Sequence, residues 1–302
     1  MTEPDSTEFA FGQGVDFNIK RNNNKKRIYG VGQRNAQETV ALQYNIALTV
    51  NGSLSNAYFL LGALGANANA GGGPTYTHTY TEADVLPTFT AYARRSFDTA
   101  KNEVVQGCII NSLALKSAVN EEVKFTLECL GRYDKVDTDS ESAVTETEKI
   151  FTFAGGVIEI PNGTSIAKIQ TFDLTINNTV ELVFEVGDRF AAGYVAKNRE
   201  YNFNINVAVD DYTLLSRLYD GTNSSTAPGT GNGEIATMEL TFTNSNSDTI
   251  VATFTGVHFN EDDNQTSVGE VFKMGITGWA NACTSIVYTN TTETAPAQAT
   301  NV

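Results

Sequence analysis

The residues able to do chemistry are few in this chain, and their spacing suits no familiar reaction. There are two histidines, His78 and His258. No HExxH, no His/Cys cluster and no GxSxG accompanies them. His78 stands in the Thr/Tyr-rich run TYTHTYT, and His258 closes a β-type segment, so both read as structural. The cysteines, Cys108, Cys129 and Cys283, are odd in number and form no CxxC. They read as buried or idle thiols in a reducing compartment rather than a disulfide framework. Gly71-Gly72-Gly73 lacks the Lys-Ser/Thr of a phosphate-binding loop and reads as a flexible loop. Asp137, Asp139 and Glu141, and the run Glu261 to Asn264, offer alternating oxygens that suit Ca²⁺. The EF-hand glycine and closing glutamate are missing, which favours solvated acidic loops. Lys20, Arg21, Lys25, Lys26 and Arg27 flank Asn22 to Asn24 and read as a basic hairpin tip facing solvent or an acidic protein neighbour. No catalytic residue, cofactor or metal is assigned, and an enzyme is not expected.

The elements around these residues are mostly strands. The chain has 302 residues, 41% hydrophobic, with 20 basic and 35 acidic residues for a net charge of −15. That balance opposes gripping nucleic acid through its phosphates, and the apolar content is enough for a core. There is no apolar run long enough for a spanning helix, so no membrane is expected. The first residues, with Glu3, Asp5 and Glu8, do not read as a secretory signal. Windows rich in β-branched and aromatic residues predict strands at 44–50, 88–93, 104–115, 122–130, 149–153, 171–176, 181–186, 201–209, 236–243, 249–258 and 271–277. Ser55 to Leu64 and Asp210 to Tyr219 read as helices, each followed by a glycine.

Two halves of the sequence resemble each other. Phe17 to Arg34 (FNIKRNNNKKRIYGVGQR) aligns without a gap with Phe172 to Arg189 (FDLTINNTVELVFEVGDR) at an offset of 155. After a two-residue shift, Tyr44-Asn45-Ile46 meets Tyr201-Asn202-Phe203. Val105-Gln-Gly-Cys-Ile and Glu121 to Leu127 meet Phe254-Thr-Gly-Val-His and Glu270 to Ile276 at an offset of 149, which sets His258 against Ile109. An internal duplication follows, with a first β domain over 1–165, a second over 166–302 and a flexible tail from about 290. Each unit carries one short helix and a long Gly-rich loop. Residues 1–165 hold 14 basic and 19 acidic residues, and residues 166–302 hold 6 and 16, so the second unit is the more acidic.

The ordered motifs resemble the tail tube proteins of long-tailed bacteriophages and archaeal tailed viruses. The residues that carry this are Gly30-Val-Gly-Gln-Arg34 after the early hairpin, YNIALTV leading into AYFLLGALG, Asp84 to Thr90, and Gly107 to Leu113 followed by Glu122 to Thr126. The resemblance implies β-sandwich or barrel units whose inner sheet joins neighbours into a ring, with rings stacked into a hollow tube for the genome. Two units per chain make a homotrimeric, pseudo-hexameric ring the expected state. Other implied partners are a tape measure protein and tail-terminator or baseplate proteins. Double-stranded DNA would pass without specific binding, through a negatively charged lumen. The place implied is the virion tail, with assembly in the host cytoplasm. Gly65, Gly71, Gly72, Gly73, Gly221, Gly229 and Gly231 are the expected inter-ring contact loops. The alternatives are a surface β-sandwich that binds carbohydrate or acts as an adhesin, and a capsid decoration or baseplate protein.

Overall fold

The computed structural model describes residues 9–71, 75–96, 100–137, 146–161, 163–166, 169–208, 213–221, 227–265 and 273–291. The first half contains β1 (Gln13–Asn22), β2 (Lys25–Tyr29), β3 (Ala36–Ala41), β4 (Asn45–Ser53), α1 (Leu60–Leu64), β5 (Gly65–Ala70), β6 (Tyr76–Glu82), β7 (Phe89–Ser96), β8 (Ala100–Ala118), β9 (Lys124–Gly131) and β10 (Tyr133–Asp137). The second contains β11 (Gly156–Glu159), β12 (Ile169–Asn177), β13 (Val180–Phe184), β14 (Ala191–Ala196), β15 (Glu200–Ala208), α2 (Thr213–Asp220), β16 (Glu234–Thr243), β17 (Thr249–Gln265) and β18 (Lys273–Asn290). The fold is thus mainly β, as the sequence predicts.

Alternation explains why these segments are strands. In β12, Phe172, Leu174 and Ile176 are buried while Thr171, Asp173 and Thr175 stay partly exposed. Burial of one face per strand fixes the register, since a one-residue slip would turn the apolar set to water. Most strands join one large sheet in the order β1-β4-β9-β8-β12-β15-β18-β17-β16-β11. Its apolar face and the two helices contribute to one hydrophobic core that draws on both halves of the chain.

Within that sheet, the order β1-β4-β9-β8 is repeated as β12-β15-β18-β17. The registers repeat too. The β1–β4 pairing Asp16↔Asn51 maps onto the β12–β15 pairing Thr171↔Asn206 at an offset of 155 in both strands. The β8–β9 ladder maps onto the β17–β18 ladder at an offset of 149, including a bulge that skips Asn111 in one and Asn260 in the other. Ile46 therefore corresponds to Tyr201, and the two-residue shift expected from the YNI/YNF match does not occur. A slip of two leaves the inward–outward alternation unchanged, so residue similarity could not exclude it. The long strands β8 and β17 each contain a glycine of positive φ, Gly107 (φ 61°) and Gly256 (φ 62°). A Cβ at Gly256 would lie 2.5 Å from Asn281 Nδ2.

Several local expectations are corrected. The first helix covers only Leu60–Leu64, with Phe59 rather than Ser55 at its N-cap. Ser55 is instead buried in the turn that leads to it. The second helix, expected over Asp210 to Tyr219, is described over Thr213–Asp220, and residues 210–212 lie outside the described residues. Residues 65–70, expected in a loop, form β5 against β6. Residues 149–153 do not form a strand. Thr152 makes an isolated bridge to Glu122, and Phe151 donates its N–H to Leu54 O and accepts from Val123 N–H, both at 2.8 Å. Asn22 to Asn24 is not a hairpin tip. Asn24 (φ 37°) is a kink through which β1 continues into β2, and the chain reverses near Gly30–Gln33, where Gln33 N–H donates to Gly30 O at 3.1 Å. Glu261 to Asn264 is not a loop but strand, because every residue from Glu261 to Asn264 pairs with β18.

Candidate assembly surface

The two repeated sheet sections meet at a seam between β8 and β12, whose register runs from Thr171↔Ala118 to Asn177↔Ser112. On one face Leu113 meets Ile176 and Leu115 meets Leu174, all buried. On the other, Lys116 meets Asp173 and Ala114 meets Thr175. The bulged Asn111 closes the seam. Its carbonyl accepts Asn178 N–H and its side-chain Oδ1 accepts Val180 N–H, both at 2.8 Å. A bulged residue leaves the ladder, and its polar groups are then free to bind the crossing chain. Asn178, 2% exposed, donates from Nδ2 to Ile110 O and Ala63 O at 3.1 Å. It accepts from Arg199 Nε at 2.8 Å. An amide suits this place because it both donates twice and accepts.

A second contact crosses the same seam. The ribbon β13–β14 reaches back over the first half of the sheet. Arg189, at its turn, donates from Nε to Leu42 O at 3.0 Å and from Nη2 to Asn23 Oδ1. Tyr44 N–H donates to Arg189 O at 2.8 Å. Phe190 packs edge-on against Tyr44 and Tyr133, with ring centroids 5.7 and 5.2 Å apart.

The corresponding groups at the far ends of the repeat lack these neighbours among the described residues. β1 pairs with β4 alone. β17 pairs with β16 only as far as His258, so its second half, Glu261 to Gln265, pairs with β18 alone. Asn23 and Asn260 are exposed, whereas their counterparts Asn178 and Asn111 are buried and half-buried. Ribbon β2–β3 is exposed almost throughout, and Val31 at its turn is fully exposed, like Val186 at the turn of β13–β14. Sheet edges of this kind are templates for another chain.

Register also sorts the charges. The solvent face of the repeated sheet carries Asp16, Lys20, Lys116, Lys124, Glu128, Asp173, Glu200, Glu261, Asp263 and Lys273. That is four bases against six acids, a net of −2. The first-half strands contribute +1 and the second-half strands −3. Arg21 points to the other face, where it forms ion pairs with Glu103 at 3.0 Å and with Asp134.

A family model described as phage tail tube protein matches residues 21–271. The chain belongs to the phage tail tube protein family. It is therefore a structural component of a virion tail that self-assembles into a tube. No curated protein matches it.

Of the expected site residues, Gly65 is buried at the start of β5 and caps α1, its N–H donating to Leu61 O. Gly71 (φ 95°) follows β5, while Gly72 and Gly73 lie outside the described residues. Gly221 follows α2, and Gly229 and Gly231 are exposed between α2 and β16. Lys20 and Arg21 lie on β1 and Lys25, Lys26 and Arg27 on β2, so the basic run follows one edge. The three cysteines are buried thiols, as expected. Burial pushes Cys108 and Cys283 up to about 12. His78 is buried on β6, with Nδ1 3.1 Å from Asn69 Oδ1. His258, on β17, stacks on Trp279 at 5.4 Å. The sequence reading missed Asn111, Asn178 and Arg189 as seam residues and Asn260 as their counterpart at the open edge of β17. Their signal was present: Asn111 and Asn260 match at an offset of 149, and Asn178 and Arg189 have Asn23 and Arg34 at 155.

Proposed function

We propose that three copies of this chain close into a pseudo-sixfold ring, and that stacked rings form the hollow tail tube through which double-stranded DNA passes at ejection. The observation that carries this is the β8–β12 seam, a contact between two sheet sections of the same strand order and register. A contact that joins one section to the next can be repeated head to tail until the rotation closes. Two sections per chain and six per ring give three chains. The repeated registers also support an origin by internal duplication, with units at 1–165 and 166–302.

In this reading the polar sheet face lines the lumen. Its net charge of −2 per chain repels phosphates, so DNA slides rather than binds. The segments that follow β5 and α2, with Gly71 to Gly73 and Gly221 to Gly231, serve contacts between rings. A tape measure protein inside the tube and tail-terminator and baseplate proteins at its ends complete the partner set. Assembly takes place in the host cytoplasm. Native mass spectrometry tests the stoichiometry. Three chains of 32.6 kDa give a ring of about 98 kDa, and a ring of twice that mass would refute the trimer.

A further inference from the structure

We infer that the open half of β17 takes β1 of a second copy in the register of the in-chain seam, so that Lys20 meets Asp263, Arg21 meets Asp262, and Asn260 holds Asn23 and Lys25. This rests on the ring reading and specifies which edges meet and how. The register comes from the structure. In the seam, Thr175 lies opposite Ala114, Ile176 opposite Leu113 and Asn177 opposite Ser112. Moving β12 back by 155 and β8 forward by 149, the offsets fixed by the ladders, places Lys20 opposite Asp263, Arg21 opposite Asp262 and Asn22 opposite Glu261.

Two independent features agree with this placement. The first is charge. Inside the chain these positions hold neutral or apolar pairs, yet at the open edges every basic residue of β1 falls opposite an acidic residue of β17. Asp263 and Lys20 are exposed on the solvent face, and Arg21 and Asp262 share the opposite face. Opposite charges across a strand pair stabilise it, and like charges destabilise it. A β1 edge therefore rejects another β1 edge and accepts β17, which makes the association head to tail. The second is the asparagine lock. Asn111 holds Asn178 N–H and Val180 N–H in the seam. The equivalent residues are Asn260, Asn23 and Lys25, so the bulged residue and the residue it holds are asparagines in both places. The exposed Asn260 thus carries the groups that Asn111 uses, facing outward from an open edge.

The same mapping extends to the arm. Arg34 is the counterpart of Arg189 and is exposed. It falls over Lys197 of the neighbouring copy, as Arg189 falls over Leu42 within the chain.

Disulfide trapping tests the register. Directly opposed residues in an antiparallel pair are within disulfide reach, and the native thiols are buried. The full chain carrying Lys20→Cys with Asp263→Cys should oxidise to covalently linked rings, at least about tenfold faster than Lys20→Cys with Glu261→Cys or with Gln265→Cys. Asn260→Ala should raise the concentration needed for ring formation about tenfold while leaving the melting temperature of the dilute chain unchanged. Equal or faster linking at 261 or 265, or rings that form in the 20/263 variant without linking, overturns the register and leaves the ring standing. Unaltered assembly of the Asn260→Ala variant overturns the lock. A wild-type chain that stays monomeric at all concentrations overturns the ring reading and this inference together.

Discussion

Asn178 and Asn23 occupy equivalent places in the repeat, but one is inside the in-chain seam and the other lies at an open edge. Replacing each with alanine should therefore give opposite phenotypes. In Asn178→Ala the side chain loses two donated bonds, to Ile110 O and Ala63 O, and one accepted from the Arg199 guanidinium. A neutral bond contributes about 1 kcal/mol and a charge-assisted one about 1.5–3. With 2% of its surface exposed, water does not replace them readily, so the loss is about 4 kcal/mol, a large share of a typical domain's stability. For a chain of this length each kcal/mol moves Tm by about 2 °C, so Tm should fall by about 8 °C. In Asn23→Ala the lost in-chain bond is the exposed one from Arg189, and the loss is no more than about 1 kcal/mol. Its effect should fall on association. The assay is thermal unfolding by circular dichroism on dilute chain, with sedimentation of concentrated samples beside it. An Asn23→Ala chain that melts as low as Asn178→Ala, or an Asn178→Ala chain within about 1 kcal/mol of wild type, would show that Asn178 does not hold the in-chain seam.

Reversing Glu128, Asp173 and Glu200 to lysine changes the charge of the polar sheet face from −2 to +4 per chain. Tubes of this variant should retain double-stranded DNA in a co-sedimentation assay at physiological salt, whereas wild-type tubes should not; equal retention would remove that face from the lumen. Gly256→Ala forces a side chain into positive φ and against Asn281, and should cost about 1–3 kcal/mol in a denaturant titration. The thiols of Cys108 and Cys283 stay protonated in the native chain up to about pH 12, while an unfolded thiol ionises near pH 8.5. Stability is thus full below that point and lost as pH rises from about 9 to 12, by about 1.4 kcal/mol per pH unit per thiol; Cys108→Ala should flatten the decline in Tm across that window. Arg34→Ala should leave the Tm of the dilute chain unchanged and weaken ring formation in sedimentation.

Much of this fold could be read from the chain because one buried face per strand writes itself as alternation. Strands such as β12 and β15 were legible for that reason. β1 and β2 were read only through the repeat and β3 was not read at all, since their residues are polar and mostly exposed, and alternation carries no signal where neither face is buried. The helix at Ser55 was over-read because a serine before an apolar run imitates an N-cap. In the structure that run serves the core from an irregular turn, and tertiary packing overrides the local preference. β5 escaped notice because GANANA has low strand propensity, and its pairing with β6 rather than its composition holds it extended. Of the assembly surface, the basic run was visible, as was Glu261 to Asn264. That they face each other was not, since it follows from two ladder offsets that only the observed registers define. The asparagine lock was hidden for a similar reason. A single matched Asn means little until the bulge shows that its side chain leaves the ladder.

Cryo-electron microscopy of tubes assembled from the wild-type chain, reconstructed without imposed symmetry, tests the trimeric ring. The expected map has three copies per ring, a sheet continuous from β17 of one copy into β1 of the next, and threefold rather than sixfold symmetry at the Lys20–Asp263 seams. Six copies per ring, or neighbouring copies whose sheets do not join, would contradict it.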